Sequence, residues 1–181
     1  LKAIAPFAFA YIPVNAFKKI PSDAFKAITP EQTASMTSSS TNNQCAALSA
    51  DQFSNITADS LKQQGSSSSS NGLQYKCSSY FNDDAVSSIS SDQLKAIAPL
   101  AFANIPVNVF KMIPSDIFKS ITPEQVNNMR SYETNNQCAT LSADQFSNIP
   151  ADSLKIANSK TGLQFGCSKT FNDDAVSSIS S

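Results

Sequence analysis

The sequence predicts an all-α solenoid of very short helices, one per eight-residue repeat. A β-solenoid is the alternative. Three observations carry the prediction. Apolar residues advance in steps of eight along most of the 181-residue chain. Many steps carry a helix-start signal, yet prolines return too often for one long helix. The whole pattern also occurs twice, as repeat module 1 over 1–91 and repeat module 2 over 92–181.

The beat begins at the N-terminus. Ile4, Ile12, Ile20, Ile28 and Met36 form one series, and Leu1, Phe9, Phe17 and Phe25 form the other. The segment 48–61 repeats the beat with Leu48 and Ile56, and with Phe53 and Leu61. Cys45 lies eight before Phe53 and so takes a core slot, as Cys138 does before Phe146. From Leu73 the series runs through Phe81, Ile89, Ile97, Ile105, Ile113 and Ile121 to Met129. Its companion is Val86, Leu94, Phe102, Phe110, Phe118 and Val126.

A step of eight fits neither a straight helix of period 3.6 nor a sustained heptad. Pro99, Pro106, Pro114 and Pro123 oppose a continuous helix as well. The content of each octad resolves this. In ITPEQV, Thr122 is placed to cap a helix, Pro123 to open it, and Gln125 to close a capping box. Ser142 with Gln145, and Ser90 with Gln93, repeat the box. The flanking apolar residues fall before the cap and at the fourth helical position, where they pack as a hydrophobic staple. Each octad therefore starts a helix of one or two turns. Such a helix is unstable alone because nucleation is costly. Stacking supplies the missing burial, at about 1.5–3 kcal/mol per large apolar side chain. Prolines after the isoleucines, and only 4 glycines, weigh against strands.

Leu1 aligns with Leu94, and the register holds through NNQC to Lys62 and Lys155. There QQGSSSSSN faces the shorter IANSKT, and the match resumes from Gly72 and Gly162 to FNDDAVSSISS. The pattern reads as a window on a longer array, or as modules that join head to tail. LKAIAPFAFAYIPV looks like a leader, but it returns as LKAIAPLAFANIPV inside the chain and so belongs to the fold.

The octads ITPEQVNN, LSADQFSN and IPSDIFKS resemble arrays of I/L-[TSP]-x-[DE]-x-[FL]-x-x units in large extracellular surface and matrix proteins of microbes. The resemblance covers most of each module and implies a repetitive extracellular role.

Composition points the same way. Charged residues are 15% of the chain, against about 25% in ordinary soluble domains. The net charge is −1, with no basic patch to favour nucleic acid. No apolar run is long enough to span a bilayer. Four cysteines, Cys45, Cys77, Cys138 and Cys167, favour disulfides. Three pairings are possible, and Cys45–Cys77 with Cys138–Cys167 keeps each bond inside one module. Without CxxC or histidine, the cysteines do not suit zinc. Asn82, Asp83 and Asp84, repeated at Asn172, Asp173 and Asp174, read as an N-cap with two acids in the first turn rather than a calcium site. Asn55 heads the one N-x-S/T sequon, a glycosylation candidate in a secreted chain. The Ser66–Ser70 run reads as a flexible loop.

No histidine base, nucleophile elbow or phosphate loop is present, and every acidic cluster is duplicated. The expectation is a non-enzymatic structural repeat protein of an extracellular filament, sheath or coat, with no cofactor and no metal. Its partner is itself, head to tail, with a glycan or cell-surface partner possible. A cell-surface adhesin or glycan-binding stalk is the alternative. It would show an exposed aromatic cluster, or a surface where the copies differ, such as Tyr11 against Asn104 or Tyr132 against Ser39.

Overall fold

Short helices follow one another with little between them. The structure, a computed structural model, describes residues 1–62, 72–132, 134–155, 163 and 167. In module 1 the helices are α1 (Pro6–Ala10), α2 (Val14–Phe17), the 3-10 helix η1 (Ser22–Ala27), α3 (Pro30–Ser35), η2 (Cys45–Ala47), α4 (Ala50–Ser54), α5 (Ala58–Leu61), α6 (Tyr75–Ser78) and α7 (Asp83–Ser87). They continue with α8 (Ser91–Ala96), α9 (Pro99–Ala103), α10 (Val107–Phe110), η3 (Ser115–Ser120) and α11 (Pro123–Asn128). Strands β1 (Ser131–Tyr132) and β2 (Asn135–Asn136) then precede α12 (Gln137–Thr140), α13 (Ala143–Ser147) and α14 (Ala151–Leu154). The chain is an all-α solenoid of very short helices.

Two kinds of start produce these helices. Capping boxes form at Thr29/Gln32, Ser49/Gln52, Ser90/Gln93, Thr122/Gln125 and Ser142/Gln145. At other corners a proline occupies the N-cap itself. Pro13, Pro21, Pro106, Pro114 and Pro150 hold φ between −54° and −61° without any side-chain cap bond. The residue before each proline is biased towards extended backbone, which turns the chain out of the preceding helix. The apolar residue of the octad does the same elsewhere: Ile28, Ile97 and Ile121 end their helices with ψ between 123° and 141°.

The packing has a simple rule: each helix stacks on the third one after it. One face carries α1, α3, α5, α8, η3 and α13; a second carries η2, α6, α9, α11 and α14; the third carries η1, α4, α7, α10 and α12. Gln44, at the head of η2, bonds the carbonyl of Ile12 just before α2, which places α2 on the second face. The solenoid is thus three-sided, with three helices per coil.

Each coil points its aromatic residues inward. Phe9, Phe17 and Phe25 come one from each face of the first coil. Their rings meet edge to face at 5.9 and 5.5 Å. Phe102, Phe110 and Phe118 repeat this at 5.6 and 5.7 Å. Such contacts add about 0.5–1.5 kcal/mol to the burial of each ring. The apolar cluster runs unbroken from Phe9 to Cys167. No linker separates the modules, because the 91/92 boundary falls at the start of α8.

Ten helices lie between the start of α1 and the end of α8, and ten is not a multiple of three. Equivalent helices of the two modules therefore stand on different faces. Helix α1 is on the first face and its counterpart α9 on the second; η1 is on the third and its counterpart η3 on the first. From module 1 to module 2 the array thus advances by one face.

The all-α reading places no strand between Met129 and Cys138, yet the structure has one pair there. Met129 to Cys138 spans nine residues instead of eight, and the extra length forms an antiparallel hairpin with Ser131 opposite Asn136. In module 1 the same place holds a single bridge, Ser38 to Asn43. Gly72 adopts φ 89°, a left-handed conformation suited to glycine, and donates its N–H to the Pro30 carbonyl at 2.8 Å.

Candidate functional site

The repeated chemistry of this molecule lies in the seams between coils. Each capping-box glutamine makes two sets of bonds. In α11 the Oε1 of Gln125 accepts the Thr122 N–H at 3.0 Å. Its Nε2 donates to the carbonyls of Leu94 and Ile97, both at 2.7 Å. Those carbonyls close α8, one coil earlier; the one on Leu94 also accepts the N–H of the C-cap Ile97 at 3.2 Å. Gln32 joins Leu1 and Ile4 in the same way, and Gln93 joins Phe53 and Ile56. Gln52 reaches Phe17 and Ile20; Gln145 reaches Lys111 and Ile113. All five are buried, with acceptor and both donor hydrogens in use.

Variants of the joint fill the other corners. Gln44 and Gln137, from the two NNQC motifs, donate to Phe9 and Ile12, and to Phe102 and Ile105. Ser60 and Ser153 supply one bond each, to Ile28 and Ile121. Asn82 caps α7 by accepting the Ala85 N–H and donates across the seam to Ala46 and Leu48. The N-cap reading of Asn82 holds, with Asp83 and Asp84 in the first turn. Asn172, Asp173, Asp174 and the Ser66–Ser70 run lie outside the described residues.

The bridging role was not apparent in the sequence, though a signal was there. A capping box accepts Glu or Gln at its third position. Every box here has Gln, and only an amide can both cap its own helix and donate to two carbonyls of the next.

The cysteines reinforce these seams. Cys45 pairs with Cys77 and Cys138 with Cys167, each with Cα atoms 5.2 Å apart. The first bond joins η2 to α6, adjacent on the second face. Both pairs stay within their module, over 32 and 29 residues. Loops of this size contribute about 3–4 kcal/mol each in the chain-entropy account.

Asn55 sits at the C-cap of α4, where its Nδ2 donates to the Asp51 carbonyl at 2.8 Å. Asn148 makes the same bond to Asp144 without a sequon, so the C-cap contact serves the fold in both modules. Lys18, Lys26, Lys111 and Lys119 are exposed near helix ends. The side chains of Phe7 and Tyr11 are also exposed and lie 4.8 Å apart between ring centroids. Their counterparts are Leu100 and Asn104. Tyr132 is exposed as well, beside a shallow surface pocket lined in part by Leu100 and Arg130.

Electrostatics are sparse. Lys155 pairs with Asp152 at 2.7 Å in full solvent, which lowers the carboxyl and raises the amine from their ordinary values. Among the described residues no three His, Cys, Asp or Glu side chains converge. No described helix is long and apolar enough to cross a membrane. No protein-family model matches the chain, and neither a curated protein nor a solved structure matches it.

Proposed function

We propose that this chain is a structural repeat protein of an extracellular filament, sheath or surface coat, non-catalytic, with modules stacked head to tail and one disulfide locking each. The observation that carries this reading is the continuity of the seam across the module boundary. Gln93 of module 2 bridges to Phe53 and Ile56 of module 1 as other glutamines bridge within a module. A joint that repeats one operation extends into a rod instead of closing. The two disulfides fit an oxidising, extracellular setting, where Asn55 would carry a glycan. Negative-stain electron microscopy of native, unreduced material tests this. Uniform filaments with a regular axial repeat support it; isolated compact particles refute it.

One observation favours a second reading, a cell-surface adhesin or glycan-binding stalk. The exposed Phe7–Tyr11 pair stands where the modules differ in sequence. Exposed aromatic rings suit stacking on a sugar or on a partner's apolar side chain. Phe7→Ala with Tyr11→Ala is expected to abolish glycan or cell binding if this reading holds, while leaving the fold intact.

A further inference from the structure

On the second face, α11 packs on α9 and the chain then enters β1. The pocket beside Tyr132 lies there and has a volume of about 380 Å³. Small-ligand sites span about 300–1,000 Å³. Asn127, Asn128, Arg130 and Ser131 line it, together with the exposed Leu100 and Tyr132. No Asp or Glu is among its described walls. Arg130 is the only arginine of the chain. Its Nη2 donates to Asn104 Oδ1 at 2.9 Å, which ties the guanidinium to the end of α9. The rest of the guanidinium fork has no hydrogen-bond or carboxylate partner among the described residues.

The fold does not require these side chains. Module 1 stacks α3 on α1 as module 2 stacks α11 on α9. There it has Phe7, Tyr11, Ala34, Ser35, Thr37 and Ser39 in place of Leu100, Asn104, Asn127, Asn128, Arg130 and Tyr132. Most of the other aligned positions are identical. Arg130 and its partner Asn104 are thus present together in one module and replaced together in the other.

We propose that this pocket binds an acidic sugar unit, one whose ring carries a carboxylate. The open side of the Arg130 fork takes the carboxylate through paired, charged hydrogen bonds, a geometry that suits arginine and not lysine. Asn128 donates its Nδ2 to the Glu124 carbonyl at 2.8 Å, which leaves its Oδ1 to accept from a ring hydroxyl. Ser131 adds a hydroxyl of its own. The exposed ring of Tyr132 covers the apolar face of the sugar. Polar walls of this kind suit a hydroxylated ligand better than the apolar side chain of a protein partner. The site uses different residues from the Phe7–Tyr11 pair, and it does not depend on filament formation.

Saturation-transfer NMR on the full, disulfide-intact chain tests this, because it reads the ligand whether the protein is single or assembled. The probes are methyl β-D-glucuronide, methyl α-D-galacturonide and N-acetylneuraminate. Methyl β-D-glucoside is the neutral match, and a tetraglutamate peptide is the anion without a sugar. At least one acidic sugar is expected to bind about tenfold or more tighter than the glucoside. Arg130→Thr installs the residue of module 1, and is expected to remove that preference with unchanged circular dichroism. Arg130→Lys keeps the charge without the fork and is expected to retain only part of it. Tyr132→Ser is expected to weaken acidic sugars and glucoside alike. Phe7→Ala with Tyr11→Ala is expected to leave acidic-sugar binding unchanged, which separates this site from the stalk reading. No binding of any acidic sugar, a glucoside bound as tightly, or an Arg130→Thr variant that binds like wild type overturns the proposal. A tetraglutamate peptide that displaces the sugars at lower concentration overturns it in favour of an acidic peptide.

Discussion

Gln125→Glu isolates the seam from the cap. Glutamate serves a capping box as well as glutamine does, so the Thr122 N–H keeps its acceptor. What is lost are the two donations to Leu94 and Ile97 at 2.7 Å. Each buried hydrogen bond contributes about 0.5–1.5 kcal/mol net, and the loss at the Ile97 carbonyl adds more, while the Leu94 carbonyl keeps the Ile97 N–H. The substituted carboxylate would also face two carbonyl oxygens at a position with no solvent exposure. The expected loss at neutral pH is about 3–5 kcal/mol. For a chain of this size that is a fall in Tm of about 6–20 °C. The pH dependence has a defined sign. Burial raises the folded-state pKa of the new carboxyl above its unfolded value of about 4.3. Between those two values the folded state binds more protons, so the variant loses stability as pH rises. Its deficit is smallest below the unfolded value and levels off above the folded one. Urea unfolding followed by circular dichroism at acid and neutral pH measures this. A variant within about 0.5 kcal/mol of wild type at pH 7, or a deficit independent of pH, would refute the bridging argument.

Other expectations follow from the same packing. Phe110→Ala removes the middle ring of an edge-to-face triplet and should cost about 3–5 kcal/mol in urea unfolding, whereas Phe7→Ala on the surface should cost under about 0.5. Non-reducing peptide mapping should return Cys45–Cys77 and Cys138–Cys167, and reduction should lower stability by about 3–4 kcal/mol per bond; a cross-module pair would contradict the seam placement. Asp152, lowered by its hydrogen bond to Lys155, stabilises the fold above its unfolded value and loses that contribution as pH falls through its folded one. The pair is fully exposed and screened by water, so Asp152→Asn should leave the neutral-pH urea midpoint unchanged. Enzymatic deglycosylation should shift the mass of the native protein at the peptide containing Asn55, and an unshifted peptide removes the glycan from the functional proposal.

Much of this molecule is written within eight residues at a time. Thr122, Pro123 and Gln125 specify a helix start, and Ile121 with Val126 clamp it, through contacts three to five residues apart. Local physics of that kind is legible without a structure. So are the buried phenylalanines, and the intramodule cysteine pairing that repetition favours. The number of helices per coil is not legible, because near-identical octads signal the same start whether three or four complete a turn. That number is set by corner angles, and by bonds such as Gln125 to Ile97 or Gln93 to Ile56 that join distant parts of the chain. The shift of one face from module 1 to module 2 is also a tertiary fact. It follows from dividing ten helices among three sides, and it decides which surfaces a row of like modules presents. The exposure of Ala8 and burial of Ala101 make the same point: near-identical sequence acquires different surroundings from the coil beneath it.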